Sequence, residues 1–111
     1  MKKLIYIAAP LSVGNVAHNI RKVLETAETL IETGDIVPFI PHLSHFWNCM
    51  IPHADTRHKE SFWMAYDFDM LLHCDGMIRL PGESIGADME VEFCKEHGIR
   101  IYTLQELLRQ G

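Results

Sequence analysis

The sequence predicts an α/β fold built on a small doubly wound parallel sheet of four to five strands. Short apolar runs alternate along the chain with longer segments whose apolar residues recur at helical spacing. The apolar runs are continuous rather than alternating with polar residues, which is typical of strands covered by helices on both faces. This pattern is typical of Rossmann-like and flavodoxin-like architectures.

Size, composition and charge narrow the class of protein. With 111 residues, we expect one domain over residues 1–111, and the apolar fraction of 48% is ordinary for a globular protein. The net charge of -5 and the lack of a basic stripe argue against a nucleic-acid partner. No apolar run approaches the roughly 18 residues of a membrane helix, and three dispersed cysteines fit free thiols in a reducing compartment. We therefore expect a cytoplasmic protein with no membrane partner.

The first half of the chain predicts two strands and one helix. Residues 3–8, "KLIYIA", predict a central strand. From Asn15 to Ile31 the apolar residues recur at helical spacing, and Gly34 follows as a probable C-cap. Residues 36–41, "IVPFIP", predict a second strand, and their prolines indicate either a sheet edge or an early end of the strand.

The second half begins with an irregular segment and then resumes the alternation. Residues 42–58 are rich in histidine and aromatic residues, and we interpret them as irregular. The elements predicted after them are a helix from Glu60 to His73, a strand over 76–80, a helix running to Gly98, a strand over 99–104 and a closing helical turn over 105–110.

Two strand-to-helix loops should form the ligand site. In parallel sheets of this kind, ligands lie at the carboxyl ends of the strands, near the point where the strand order reverses. The loops "AAPLSVG" and "LPGESIG" should both open on that edge. Ala9 and Pro10 in the first loop, and Gly82 and Gly86 in the second, are therefore candidate substrate-binding positions.

Glu90 is the first candidate for chemistry. It lies about one turn into the helix that follows "LPGESIG", where the positive end of the helix dipole favours its ionised form. An ionised carboxylate at this edge of the sheet can act as a nucleophile or stabilise a developing cation. The alternative is a first-turn acid that faces solvent.

Asp67 is the second candidate. It shares a helix line with Trp63 and Leu71, so it should lie on or beside an apolar stripe. Burial raises the pKa of a carboxyl, which suits a general acid. The alternative is a capping or salt-bridge role.

Ser84 and Tyr6 are candidates for supporting roles. The Ser84 hydroxyl and the amides around Gly82 to Gly86 could bind an anion such as a phosphate at a helix N-terminus, although an N-cap is the simpler interpretation. Tyr6, near the end of the first strand, is either a plain core residue or a hydroxyl that reaches the edge where Glu90 lies.

The histidines suggest a metal site, but their spacing does not support it. His42, His45, His53 and His58 lack acidic or cysteine partners at ligand spacing, so we expect no metal. A pocket or a subunit interface explains this segment better. In a pocket, His45, Trp47 and Trp63 could contact a planar base through their aromatic faces.

Several motifs together resemble one superfamily over most of the chain. They are the segment "YIAAPLS", the residue Asp67 eight positions before Asp75, and the segment "SIGADME". They resemble the nucleoside 2-deoxyribosyltransferase-like superfamily, which includes the 2'-deoxynucleoside 5'-monophosphate N-hydrolases. The segments "PHLSHFW" and "RLPGESIGADMEVEF" look especially similar to a small bacterial and phage branch of it.

The resemblance implies an activity and a role for each candidate. It implies cleavage of the N-glycosidic bond of a nucleoside 5'-monophosphate or nucleoside, by hydrolysis or transfer, with Glu90 as the nucleophile. Asp67 would act on the sugar or base side and Tyr6 would hold the nucleophile. The serine at position 84, where free-nucleoside transferases carry aspartate, favours a 5'-phosphorylated substrate.

The resemblance also implies an assembly, and one alternative function stays open. We expect no cofactor. We also expect a homodimer or higher homo-oligomer, and the aromatic residues between 46 and 66 would suit its interface. The alternative is a nucleotide-binding sensor module that keeps the pocket but does not turn substrate over.

Overall fold

The computed structural model describes residues 1–51 and 59–109, and it confirms the predicted α/β fold. Four parallel strands form one sheet in the order β2-β1-β3-β4. The strands are β1 (Lys3–Ala8), β2 (Ile36–Phe39), β3 (Gly76–Arg79) and β4 (Ile101–Tyr102). The strand order reverses between β1 and β3, so the loops after these two strands border the position where a ligand is expected.

In the described parts of the chain, six helices flank or extend the sheet. They are α1 (Val16–Glu32), the short 3₁₀ helix α2 (Pro41–Leu43), α3 (Ser44–Met50), α4 (Glu60–Leu71), α5 (Ile85–His97) and α6 (Leu104–Arg109). The prediction that the segment after β2 is irregular was wrong for residues 42–50, which form most of α2 and all of α3. None of the side chains of α3 is buried, so the segment lacks the apolar stripe that identifies a helix in a sequence.

Each face of the sheet carries its own apolar core. On one face, Ile5 and Ile7 of β1 pack with α1 and α6. On the other face, Tyr6 and Ala8 pack with Leu71 of α4 and with α5. The alternation of side chains along β1 therefore determines that Tyr6 points toward the helices that follow β2 and β3.

The longest helix, α1, illustrates how local signals and packing agree. Asn15 caps it, since its side-chain oxygen accepts a hydrogen bond from the His18 amide at 2.9 Å. Its buried residues recur at intervals of three and four, as one apolar stripe on a helix requires: Ile20, Val23, Ala27 and Leu30. Within the described parts of the chain, no helix combines the length and apolar character needed to cross a membrane.

We expect Gly76→Ala to destabilise the sheet. A Cβ atom at Gly76 would lie 2.4 Å from Cε2 of the Tyr102 ring on the neighbouring strand, so β3 and β4 would have to separate. Overpacking of this kind costs about 1–3 kcal/mol, measurable as a lower midpoint of urea unfolding.

Gly86→Ala is the matched control for this prediction. There the new Cβ would meet only the flexible end of Met64, at 3.2 Å, and alanine favours helix over glycine. Equal unfolding midpoints for the Gly76→Ala variant and the wild type would contradict the prediction.

Candidate active site

A cleft of about 460 Å³ opens at the carboxyl ends of β1, β2 and β3. Its wall contains residues from the segment after each of these strands, together with one side of α4 and the first turns of α5. The lining residues that sequence analysis singled out as site residues are Ala9, His45, Trp63, Asp67, Ser84, Gly86 and Glu90. The location agrees with the expectation from the two strand-to-helix loops.

A buried hydrogen bond joins Tyr6, which lies outside the lining of the cleft, to the lining residue Glu90. The Tyr6 hydroxyl donates to Oε2 of Glu90, linking the central strand β1 to α5. The Tyr6 side chain is fully buried, and Glu90 is only 6% exposed. Burial raises the pKa of Tyr6 well above its usual value, and the negative charge of Glu90 adds to this effect. The hydroxyl therefore stays protonated and acts as a donor.

Asp67 lies beside this pair on α4. Its carboxyl is close enough to raise the pKa of both Tyr6 and Glu90 through its negative charge. Oδ1 of Asp67 is buried and has no hydrogen-bond partner among the described residues. A buried carboxyl oxygen that lines a cleft without a partner is suited to hold a proton and pass it to a ligand.

Both carboxyls have a raised pKa. Burial raises the pKa of Asp67 to about 7, partly offset by the hydrogen-bonding effect of Tyr6. Burial likewise raises the pKa of Glu90 to about 7, against the lowering effect of the Tyr6 hydrogen bond. The negative charge of Asp67 raises the pKa of Glu90 further, and the positive charge of Arg79 lowers it.

The raised pKa expected for Asp67 is thus confirmed, whereas the expectation for Glu90 needs correction. The sequence predicted an ionised Glu90 because of the helix dipole. Removal of this carboxyl from water outweighs that effect. Both carboxyls therefore hold their protons to a higher pH than exposed carboxyls do.

Ser84 and Gly86 form the entrance to α5 on one side of the cleft. Ser84 is the N-cap, because its hydroxyl oxygen accepts a hydrogen bond from the Ala87 amide at 3.0 Å. The hydroxyl proton can still be donated to a ligand. Gly86 keeps this wall close to Met64 of α4, since a Cβ there would lie 3.2 Å from the methionine methyl group.

Pro10, Gly82 and Trp47 do not belong to the lining of the cleft. Gly82 adopts a φ of 122°, and a Cβ there would lie 2.7 Å from Cγ of Pro10. These two residues therefore hold the two loops against each other. Trp47 is half exposed and packs edge-on against Trp63 of the lining, with ring centroids 5.2 Å apart. Their contact with substrate stays a prediction.

His42 is a lining residue whose position the sequence analysis missed. It is 3% exposed, and its Nε2 lies 3.1 Å from the carbonyl oxygens of both Ala9 and Pro10. Burial lowers the pKa of His42, and the two carbonyls counteract this only in part, so the ring is neutral and Nε2 donates. Its place directly after the second strand and Pro41 was the available signal, because the end of β2 meets the same edge of the sheet.

Other polar lining residues carried no recognisable sequence signal: Ser12, Ser44, Asn48 and Glu60. Among the described residues no group of histidine, cysteine, aspartate or glutamate is arranged to hold a metal ion. His53 and His58 lie outside the described residues. Glu92, on the same helix as Glu90, is exposed and forms an ion pair of 3.4 Å with Lys95.

Fold and cleft define an α/β protein with one buried and one half-buried carboxyl at the strand-order reversal of a parallel sheet. The chain belongs to a domain family of unknown function, DUF7768, whose model matches residues 3–104. No curated protein matches the chain. The match covers every strand and every residue of the Tyr6, Asp67 and Glu90 group.

We expect Glu90→Gln to stabilise the protein above neutral pH. Glu90 has a higher pKa in the folded state, about 7, than its usual 4.5. Its favourable contribution is therefore complete below about pH 4.5 and is lost as the pH rises through 7. Glutamine carries no charge to desolvate and can still accept from Tyr6, so the gain at pH 8 should be roughly 1–3 kcal/mol.

Urea unfolding at pH 5 and pH 8 checks this prediction. The decline of the free energy of unfolding between these values should become shallower in Glu90→Gln. Glu92→Gln, an exposed change on the same helix, should leave the decline unchanged. A Glu90→Gln variant that is less stable than wild type at pH 8 would show that Glu90 is not destabilised by burial.

Proposed function

We propose that this protein cleaves the N-glycosidic bond of a nucleoside or nucleoside 5'-monophosphate, with Glu90 as the nucleophile. The observation that carries the proposal is the grouping of Tyr6 with the lining residues Glu90 and Asp67 of the cleft. Two carboxyls of different role are what glycosidic cleavage with a covalent intermediate requires. The resemblance in "SIGADME" and in the aspartate before Asp75 supports the same chemistry.

In the first step, an ionised Glu90 attacks the anomeric carbon of the sugar. The bond from that carbon to the base nitrogen breaks through an oxocarbenium-like transition state, and its electron pair leaves with the base. The proton on Asp67 is transferred to the departing base, so the base leaves neutral. Tyr6 keeps its proton and orients the Glu90 carboxylate through the buried hydrogen bond.

In the second step, a water molecule or a second base attacks the same carbon and releases Glu90. Asp67, now ionised, accepts the proton of the attacking group, so both carboxyls return to their initial states. The raised pKa values suit this cycle, because the reactive form of the enzyme has one carboxyl ionised and the other protonated.

A 5'-phosphate would depend on the entrance of α5. The charged residues in the described lining are the acids Glu60, Asp67 and Glu90. A phosphate held away from these acids would accept hydrogen bonds from the Ser84 hydroxyl and from free amides at the helix N-terminus, where the helix dipole favours an anion. Neutral nucleosides need no such contact, so both substrate classes belong in the test.

We expect the wild type to release free base from one or more members of a panel of nucleosides and their 5'-monophosphates, in ribose and 2'-deoxyribose forms. Glu90→Gln should reduce the turnover number at least about 10³-fold, because the nucleophile is lost while its hydrogen-bonding shape remains. Chromatographic separation of base from nucleotide measures this directly.

Glu92→Gln is the control and should retain wild-type turnover. Equal base release by Glu90→Gln and wild type would contradict the proposal. A nucleotide that raises the melting temperature and stays intact on long incubation would indicate the nucleotide-binding sensor module instead.

Asp67→Asn should impair the cleavage of poor leaving groups most. Loss of a general acid lowers turnover about 10²–10⁴-fold and removes the alkaline limb of the pH profile near 7. A 7-methylguanine nucleotide loses its base without protonation, so its cleavage should fall far less. A similar loss for both substrates would show that Asp67 does not supply the proton.

A further inference from the structure

Arg79, the last residue of β3, makes three contacts that the proposed mechanism has not used. Its Nη1 donates to the carbonyl of Leu80, and its Nη2 donates to the carbonyl of Gly82 at 2.9 Å. Nη2 also lies 3.0 Å from Oδ1 of Asp88 on α5. The Arg79 side chain is 19% exposed, whereas that of Asp88 is 72% exposed. The guanidinium therefore lies within the turn that connects β3 to α5.

These contacts determine the shape of the turn that presents Ser84. Arg79 bonds two carbonyls of the turn and one residue in the first turn of α5, which a planar guanidinium can do at once. Gly82 keeps its positive φ in the same turn and contacts Pro10 of the neighbouring loop. Ser84 follows two residues later, so its position depends on this bonded turn.

The charge of Arg79 also acts on Glu90. The groups that affect the pKa of Glu90 come from each element around it: Tyr6 on β1, Asp67 on α4 and Arg79 on β3. Burial and Asp67 raise this pKa, whereas Tyr6 and Arg79 lower it. On α5 itself, Cys94 is buried near Glu90 and responds to its charge. Within this set, Arg79 is the cation that favours the ionised nucleophile.

We propose that Arg79 is a positioning residue for this site, with two separable functions. Its guanidinium holds the turn that presents Ser84 to the 5' end of the substrate, and its positive charge acts on the nucleophile from this turn, at the N-terminus of the helix that carries Glu90. The inference rests on the proposed function for its consequences in turnover. The two functions separate chemically, because lysine keeps the charge but lacks the planar fork of donors.

Two variants and one control test this proposal. Arg79→Gln removes the charge and should move the acidic limb of the kcat/KM profile upward by about 0.5–1 pH unit. Arg79→Lys should leave that limb in place but raise KM for the monophosphate about 3–10-fold, more than for the matching nucleoside. Arg100→Gln, which breaks a surface pair with Glu106 at 3.1 Å, should change neither.

A titration independent of turnover keeps this proposal distinct from the proposed function. Carbon-13 NMR of labelled glutamate carboxyls, with the Glu90 signal assigned by its loss in Glu90→Gln, should show a raised pKa in Arg79→Gln and an unchanged one in Arg79→Lys. A raised pKa without base release from any substrate would contradict the proposed function while supporting the role of the charge.

Two results would overturn the inference. One is a Glu90 titration that is the same in Arg79→Gln and wild type, since a merely structural arginine would leave it unmoved. The other is an unchanged KM for the monophosphate in Arg79→Lys. If Arg79→Gln does not fold, Arg79→Lys alone still tests the proposal. An unchanged acidic limb with a raised KM supports it, and a shifted acidic limb with an unchanged KM contradicts it.

Discussion

The hydrogen bond from Tyr6 to Glu90 is the interaction on which the site depends. The bond crosses from the central strand to α5 inside an apolar core. Water could replace either group as the hydrogen-bond partner of the other only if that core opened. A buried carboxyl is costly unless its oxygens are paired, and the bond to Tyr6 reduces this cost without removing it. The remaining cost is visible in the raised pKa of Glu90, which is also the property that chemistry near neutral pH requires.

The topology explains why these groups meet. β1 and β3 are neighbours in the sheet, and the chain leaves them toward opposite faces, through α1 and α5. The space between the two departing loops is the cleft, and α4 covers it on the side where Asp67 lies. Tyr6 comes from a strand, Asp67 from one helix and Glu90 from another, so three rigid elements hold the group in place. A site on such elements is more accurately positioned than one on loops.

Sequence reasoning succeeded where periodicity or a strand end fixes a position. The strands and the helices α1 and α5 follow from apolar spacing, the prolines of β2 indicated its edge position, and Asp67 was expected beside an apolar stripe. It failed for α3, whose exposed side chains leave no periodic signal, and for His42, whose burial depends on carbonyls 32 and 33 residues away in the chain. It also misjudged the charge of Glu90, because the helix dipole is a local property whereas desolvation depends on the packing of the whole core.

The same desolvation links stability to the proposed activity. Glu90 and Asp67 each have a higher pKa in the folded protein than in the unfolded chain, so each weakens the folded state as the pH rises through 7. A protein that only needed a stable core would place apolar residues at these positions. Two carboxyls kept at this cost, one of which has an Oδ1 without a partner among the described residues, are what the proposed role in chemistry would require. In the proposed mechanism Glu90 is the carboxyl that must be ionised, and the positive charge of Arg79, which lowers the pKa of Glu90, reduces the cost of that state.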